Sequence, residues 1–192
     1  MTTDVSSILN EARTLLDAQC HCSNDTLNEA IRSWIKELLA PLVRQDNAEA
    51  IWLSGAAEDW RDLSDKECDQ RHLERLQTGA AAEIPDAMFY LAHDHYEKGE
   101  YEPAATLYRK AADTGHAYAK WCHGLDLLSG IGVTQDKRAG LKLIEEAANL
   151  HFEGAIQFMA NAHALGQHGY PKDEAVAATW QRKLGSKHLI RF

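Results

Sequence analysis

The chain is 192 residues long, with 45% hydrophobic residues, 26% charged residues and a formal net charge of −9. This composition is typical of a globular protein and argues against intrinsic disorder. The negative charge disfavours nucleic acids and anionic membranes as partners, because their phosphate groups attract positively charged surfaces. The acidic excess lies in residues 1–85, which hold 16 acidic and 8 basic side chains and could attract a basic protein.

The sequence predicts an all-α fold and a cytoplasmic location. Only four prolines and few alternating β-branched runs are present, and both features favour helices over strands. No apolar run approaches the ~20 residues that a membrane-spanning helix needs, so no membrane partner is expected. Residues 1–18 contain acidic side chains and no long apolar core, unlike a secretory signal.

Residues 1–80 are predicted to form a divergent amino-terminal helical part. The first amphipathic helix covers residues 4–19, where apolar residues recur at helical spacing. Thr26 and Glu29 have the spacing of a capping box and are predicted to open the second helix. That helix is expected to end near Pro41, because proline lacks the backbone N–H that helices use.

Two further helices are predicted before the array of repeats. One begins at Asn47 and has an apolar stripe that extends to Trp60 and Leu63. The next is opened by the capping-box pair Ser64 and Glu67 and continues to Gly79. Residues 47–79 could be a degenerate copy of the repeat described next. The seam between the two parts is placed between Gly79 and Pro85.

The sequence of residues 119–154 predicts a helix, a glycine-rich turn and a second helix. Gly130 and Gly132 interrupt the helical pattern, and Asp136 can cap the second helix. Small residues on both helices, including Gly124 and Gly140, predict that the pair packs closely. Such a pair cannot bury its apolar surface alone, so copies of it are expected on both sides.

Copies are indeed present on both sides, giving repeats at about 87–118, 119–154 and 155–185. Leu91, His123 and Met159 align at spacings of 32 and 36 residues. Behind them, small residues align in each of the two helices: Ala92, Gly124 and Ala160, then Ala104, Gly140 and Ala177. This period is typical of an α-solenoid of helical hairpins, which would occupy residues 81–192 together with a carboxy-terminal cap.

The run H-G-L-D-L-L-S-G-I-G-V-T-Q-D-K-R-A-G at residues 123–140 resembles the Sel1-like repeat, a relative of the tetratricopeptide repeat. It departs from the pattern at His123 and Leu127 and is shifted at Ala139–Gly140. The first copy is more similar to a plain tetratricopeptide repeat with a short turn. The third has one extra residue before Asp173. The resemblance implies a solenoid and, for function, a protein-binding scaffold or adaptor.

The cysteines do not have the spacing of a structural zinc site. Cys20 and Cys22 are one residue apart, and no second pair of cysteines follows at zinc-finger spacing. Cys68 and His72 share a helix face and could supply half of a site. We favour buried, reduced thiols, and we predict no metal, no cofactor and no disulfide.

The histidines also argue against a catalytic or metal centre. His93 and His95 lie two positions apart on a predicted helix, so their side chains point about 200° apart and cannot meet one ion. His95, His123 and His163 fall at inward positions of the repeats and are predicted to be packing residues. No phosphate-binding loop, nucleophile elbow or dinucleotide motif is present, so no catalytic residue is predicted.

The first helix of each repeat should line the concave wall of the solenoid. Taking Leu91, His123 and Met159 as core positions, the exposed side of these helices carries mainly aromatic, aliphatic and amide side chains. The predicted partner-binding residues are Phe89, His93, Tyr96, Tyr118, Trp121, Leu125, Leu128, Gln157 and Asn161. The alternative is that the amino-terminal helices or a second subunit cover this wall.

The predicted function is that of a non-catalytic adaptor or scaffold that binds another polypeptide in the concave groove. One alternative is an immunity-type protein that neutralises a bacterial toxin by direct binding. A less favoured alternative is a metal-binding or hydrolytic protein that uses the histidines and cysteines. The sequence identifies neither the partner nor the oligomeric state.

Overall fold

A computed structural model describes residues 4–20, 23–58 and 64–185, and these ranges contain ten α-helices and no strand. The helices are α1 (Val5–Cys20), α2 (Asp25–Val43), α3 (Ala48–Ala56), α4 (Asp65–Ala81), α5 (Pro85–Glu97), α6 (Tyr101–Asp113), α7 (Ala117–Ser129), α8 (Lys137–Asn149), α9 (Glu153–Leu165) and α10 (Glu174–Gly185). The all-α prediction is therefore confirmed. The chain forms two compact units, residues 1–87 and 88–192. None of the described helices is both long and apolar enough to cross a bilayer.

In the first unit, α2 differs from its predicted limits at both ends. The helix begins at Asp25 because the Asn24 side chain accepts a hydrogen bond from the Leu27 N–H at 3.0 Å. The capping box predicted at Thr26 was therefore wrong, since a strong cap lies two residues earlier. The predicted end near Pro41 was also wrong. The helix continues to Val43, since a proline in the last turn removes only one hydrogen bond and the next residue, Leu42, is buried.

The starts of α3 and α4 agree with the predicted start at Asn47 and with the predicted capping box at Ser64 and Glu67. The Asn47 side chain accepts from the Ala50 N–H at 2.9 Å. Ser64 and Glu67 form a complete capping box, with each side chain bonded to the backbone N–H of the other residue. Trp60 and Leu63, which were assigned to the stripe of the third helix, lie outside the described residues.

Gly79 lies inside α4 and is a packing residue of the first unit. A Cβ atom at this position would lie 2.9 Å from a ring carbon of Trp52 and 2.5 Å from the Ala87 Cβ. The helix therefore passes Gly79 and ends at Ala81, two residues beyond the predicted end. The glycine permits close approach of neighbouring groups and does not terminate the helix.

In the second unit, the repeats have the predicted internal register. The core positions Leu91, His123 and Met159 are each the seventh residue of their helix, in α5, α7 and α9, and all three are buried. The small residues Ala104, Gly140 and Ala177 are each the fourth residue of α6, α8 and α10, and they are also buried. One structural unit is thus repeated three times with the same positions facing inward.

The turns inside the three helical pairs differ as the sequence predicts. Three residues separate α5 from α6, seven separate α7 from α8, and eight separate α9 from α10. Gly130 and Gly166 end α7 and α9 in the left-handed conformation, with φ of 75° and 66°. Asp136 then caps α8 by accepting from the Ala139 N–H at 3.0 Å.

The closest approach between α7 and α8 is at two glycines. A Cβ atom on Gly140 would lie 2.6 Å from the backbone carbonyl oxygen of Gly124. A Cβ atom on Gly124 would lie 2.8 Å from Cγ1 of Ile144, which is fully buried. Because real Cβ atoms do not approach other atoms this closely, any larger residue at either position must push the helices apart.

Gly140→Ala tests the closeness of this crossing. Alanine favours a helix interior over glycine by about 1 kcal/mol, so propensity alone would stabilise the variant. We expect the opposite sign, a loss of about 1–3 kcal/mol in the free energy of unfolding, because the new methyl group meets backbone. Urea denaturation followed by circular dichroism measures this change.

Gly154→Ala is the control, because the three atoms nearest to its Cβ belong to the ring edge of the Phe152 side chain and none of them to backbone. This variant should stay within about 1 kcal/mol of the parent chain. A Gly140→Ala protein that is as stable as the control would contradict the observed helix spacing.

Candidate functional site

A cavity of about 370 Å³ lies between α5, α6, α7 and the turn that follows α7. Aromatic side chains dominate its walls, so it is called the aromatic cavity below. Its lining residues are Phe89, His93, Tyr96, Glu97, Tyr108, Tyr118, Cys122, Leu125, Asp126, Ser129 and Ile131. Five of these, namely Phe89, His93, Tyr96, Tyr118 and Leu125, are among the nine partner-binding residues proposed from the sequence.

Local hydrogen bonds hold α7 and its turn in place against the cavity. His116 caps the helix, accepting from the Ala119 N–H through its ring nitrogen at 3.0 Å. At the other end, the backbone oxygen of Asp126 accepts from the Ile131 N–H at 3.1 Å. Gly132 then contacts the start of α6, where an added Cβ would lie 2.1 Å from the Tyr101 carbonyl oxygen. The turn is therefore fixed against α6.

The other predicted residues lie outside the aromatic cavity. Leu128 lines a second cavity of about 690 Å³ that also includes Leu125 and extends to the turn after α9. Trp121 is half-buried and packs against the core between α8 and α9. Gln157 and Asn161 are exposed, hydrogen-bonded to each other at 3.0 Å, and line neither cavity. The structure therefore groups the predicted residues of α5 and α7 and leaves the amides of α9 apart.

Phe89 was expected to be exposed, and this expectation was wrong. Its side chain is only 5% exposed. The rings of Tyr118 and His116 lie 4.5 and 5.1 Å from the Phe89 ring, centroid to centroid, and that of Tyr108 lies at 5.8 Å. The first turn of α7 covers Phe89, so this residue forms a wall of the cavity and does not offer a free surface.

Aromatic rings form a continuous series of contacts across α5, α7 and α9, which we call the aromatic ladder. Successive centroid distances run from 4.5 to 5.8 Å. In order of contact, the ladder consists of Phe89, Tyr118, Phe152, Trp121, Phe158 and His168. Ring pairs at these distances stabilise one another by about 0.5–1.5 kcal/mol beyond the area that they bury.

Sequence reasoning identified Phe89, Tyr118 and Trp121 but missed the other members of the ladder. Phe158 directly precedes the core position Met159, and the positions assigned to the groove did not include this neighbour. Phe152 lies at the cap of α9, before the first helical residue. An aromatic residue at a cap position gives no periodic signal, so spacing alone could not place it.

The buried histidine of the central repeat is a packing residue, as predicted. His123 is buried, and this burial lowers the pKa of its imidazole, so the ring is neutral at pH 7. His163 is half-buried and packs against Tyr170 with centroids 4.6 Å apart. His95 differs from the prediction, since its ring nitrogen is paired with the Glu100 carboxylate across the short turn.

The His93–Asp94–His95 triplet does not converge on one point. Asp94 pairs with Lys98 at 2.7 Å, while the two histidines pair with separate glutamates. Within residues 4–20, 23–58 and 64–185, no group of three His, Cys, Asp or Glu side chains is arranged to hold a metal ion. The Cys20–His21–Cys22 side chains lie outside the described set.

The sequence analysis did not select Asp126, which is the most unusual group of the aromatic cavity. It is only 5% exposed, and its Oδ2 atom has no hydrogen-bond partner among the described residues. Burial raises the pKa of this carboxyl from its usual 3.8 to about 6. Its position three residues after His123 places it on the same helix stripe, and a carboxylate on a buried stripe is the signal that could have identified it.

Cys122 lies in the same cavity but is not an activated nucleophile. Burial raises the pKa of its thiol to about 12, although a hydrogen bond with Tyr108 acts in the opposite direction. The reactive thiolate is therefore a negligible fraction at neutral pH. The cavity has the character of a binding site with one buried carboxyl and aromatic walls.

The known proteins that match this chain are solved structures. No protein-family model matches the sequence, and no curated protein matches it. The solved structure of a Sel1 repeat protein from Oxalobacter formigenes is similar, with a TM-score of 0.64 and 25% identity over 82% of this chain and 45% of that chain. The chain has the fold of the Sel1-like repeat proteins. The Sel1 resemblance and the predicted solenoid are thereby confirmed.

A second similar structure is that of a protective antigen of uropathogenic Escherichia coli strains that displays the Sel1-like repeat fold. Here the TM-score is 0.62, with 24% identity over 79% of this chain and 33% of the antigen. This chain spans less than half the length of either protein. The likeness to the antigen supports the fold assignment alone.

Asp126→Asn should change stability in a pH-dependent way. The folded state holds the carboxyl proton up to about pH 6 and the unfolded state only up to about 3.8, so folding takes up protons between these values. The contribution of Asp126 to stability therefore falls as the pH rises from 4 to 6. We expect the variant to be more stable than the parent by about 1–3 kcal/mol at pH 7.5.

At pH 4 the two proteins should differ by only about 0.5 kcal/mol, because the carboxyl is protonated in the folded state and only partly ionised in the unfolded state. Urea denaturation at pH 4, 5, 6 and 7.5 measures the free energy of unfolding of variant and parent. Taking the difference between the two proteins cancels the titration of all other groups. A difference that stays constant over this range would contradict the burial of an unpartnered carboxyl.

Proposed function

We propose that this protein is a non-catalytic adaptor or scaffold that binds a partner polypeptide on the face formed by α5, α7 and α9. The Sel1-repeat fold typically acts as a scaffold for protein–protein interaction. The observation that carries the proposal is the aromatic ladder, together with the aromatic cavity at its α5 end. An immunity-type protein would be the special case in which the partner is a basic toxin.

Partly exposed aromatic side chains are the usual anchors of protein interfaces. Tyr118 is 45% exposed although its ring packs against both Phe89 and Phe152. A ring already held in this way loses little conformational entropy when a partner covers it. Tyrosine and tryptophan are also enriched among the residues that dominate binding energies. These properties favour the ladder as the centre of an interface.

The cavity chemistry supports binding over catalysis. Covalent catalysis by Cys122 would need a thiolate, and burial keeps this thiol protonated. The negative charge of the nearby Asp126 raises the thiol pKa further and therefore opposes activation of the thiol.

Site-specific crosslinking can identify the partner. We would place a photoreactive phenylalanine analogue at position 118, and separately at position 90, in the chain expressed in its own host. Tyr90 is the control because it is 52% exposed on α5 and lines neither cavity of this unit, and its ring contacts the ladder at the buried Phe89, edge to face with centroids 5.3 Å apart. The expected result is a discrete crosslinked species from position 118 that is absent from position 90.

The captured protein is then purified and its affinity measured by calorimetry. Tyr118→Ala should weaken binding at least tenfold, about 1.4 kcal/mol, whereas Tyr90→Ala should leave it within twofold. Melting temperatures of both variants show whether folding is retained. Equal effects of the two substitutions would contradict binding on the ladder.

A further inference from the structure

The aromatic cavity contains a charge that the protein itself does not satisfy. Asp126 is buried, lines the cavity, and has an Oδ2 atom without a hydrogen-bond partner in the part of the chain that the structure describes. Buried polar atoms of folded proteins nearly always have partners, because an unpaired one loses its hydration without compensation. A ligand that donates to this oxygen would remove the deficit.

The remaining walls favour a positive ligand. Phe89, Tyr96, Tyr108 and Tyr118 all line the cavity, and aromatic faces attract cations through their quadrupole. Glu97 adds a second carboxylate at the rim. Among the described residues that line the cavity, none is lysine or arginine. The carboxyl groups of Asp126 and Glu97 therefore make the charge of the lining negative, and His93 is the one lining residue that could carry a positive charge.

The size of the cavity limits what can enter. At about 370 Å³ it lies near the lower end of the range for small-ligand pockets. That volume suits one extended side chain and excludes a helix or a strand. It also lies beside Tyr118, a ladder residue that is 45% exposed, so a chain bound on the ladder could insert a side chain here.

We propose that the aromatic cavity receives a lysine or arginine side chain of the partner polypeptide, with the cationic group on Asp126 and the aliphatic stem among the aromatic residues. This inference rests on the proposed function and specifies the type of partner side chain that enters the cavity. The partner therefore presents an exposed basic residue next to the apolar segment that covers the ladder.

Small mimics of these side chains test the cavity without knowledge of the partner. The probes are n-butylguanidinium and n-butylammonium, with n-pentanol as a neutral compound of similar length. Methyl NMR spectra report on Leu125 and Ile131, which both line the cavity. We expect saturable shifts of these methyl signals with both cations and at least tenfold weaker binding of the alcohol. Equal affinities for the alcohol and the cations would overturn the proposal.

Asp126→Asn should weaken the binding of both cations at least tenfold and leave that of the alcohol unchanged. This variant is expected to fold, since it removes a buried charge. Asp94→Asn is the matched control, because this α5 carboxylate pairs with Lys98 and does not line the cavity. Cation binding that survives Asp126→Asn would refute the assignment of the anchor.

The pH dependence supplies an independent readout. The titratable groups that line the cavity with Asp126 are His93, Tyr96 and Glu97 from α5, Tyr108 from α6, and Tyr118 and Cys122 from α7. The guanidinium probe stays charged throughout, so its affinity should follow ionisation of the carboxyl and fall about tenfold from pH 7.5 to pH 5. The same fall should occur in His93→Gln, which removes the one group able to become positive. A fall that disappears in His93→Gln would assign the effect to the histidine and contradict the proposal.

Failure of this inference and failure of the proposed function give different results. If Tyr118→Ala abolishes partner binding while Asp126→Asn changes it less than twofold, the adaptor function holds and the cationic anchor is wrong. If the cations bind through Asp126 but Tyr118→Ala does not change the affinity for the partner, the aromatic cavity is a cation site and the ladder is not the interface. The combined proposal predicts at least tenfold losses of partner affinity in both variants.

Discussion

The contact between Gly124 and Gly140 is the constraint on which the central repeat depends. With no side chains between them, the backbones of α7 and α8 approach so closely that a Cβ on Gly140 would meet the Gly124 carbonyl oxygen at 2.6 Å. Gly124 faces α8 from α7, and Gly140 faces α7 from α8. The neighbouring positions Tyr118, Leu125 and Asp126 contribute to the cavity with α5 and α6. One face of α7 therefore packs against α8 and another lines the cavity. The glycine contact fixes the orientation of both faces.

Asp126 illustrates how a binding site can reduce the stability of its own fold. A leucine at this position would suit the burial of the stripe, and the carboxyl is instead held without a hydrogen bond to Oδ2. Its raised pKa, about 6, expresses the cost of ionising it there. Perturbed ionisable groups of this kind concentrate at functional sites. Phe89, packed against Tyr118 and Tyr108, forms a wall of the same cavity.

The repeated helices could be predicted from the sequence more completely than the site. Spacing placed Leu91, His123 and Met159 at equivalent buried positions, since helical periodicity and repeat length constrain them together. The capping box was predicted correctly at Ser64 and wrongly at Thr26, where the Asn24 side chain caps the helix. The site was harder to predict, because its walls come from different repeats. Phe89 is covered by His116 and Tyr118 at the start of α7, and Phe152 joins the ladder from a cap position, so no single-helix pattern contains either fact.

The central claim is that this face of the repeats binds a polypeptide with a basic residue inserted beside Asp126. A crystal structure of the chain with its crosslinked partner measures this most directly, through the distance from Asp126 Oδ2 to the nearest partner nitrogen. The account predicts a lysine or arginine nitrogen at about 2.7–2.9 Å, with the partner backbone lying over Tyr118. A partner bound to α6, α8 and α10, or an aromatic cavity left empty in the complex, would contradict it.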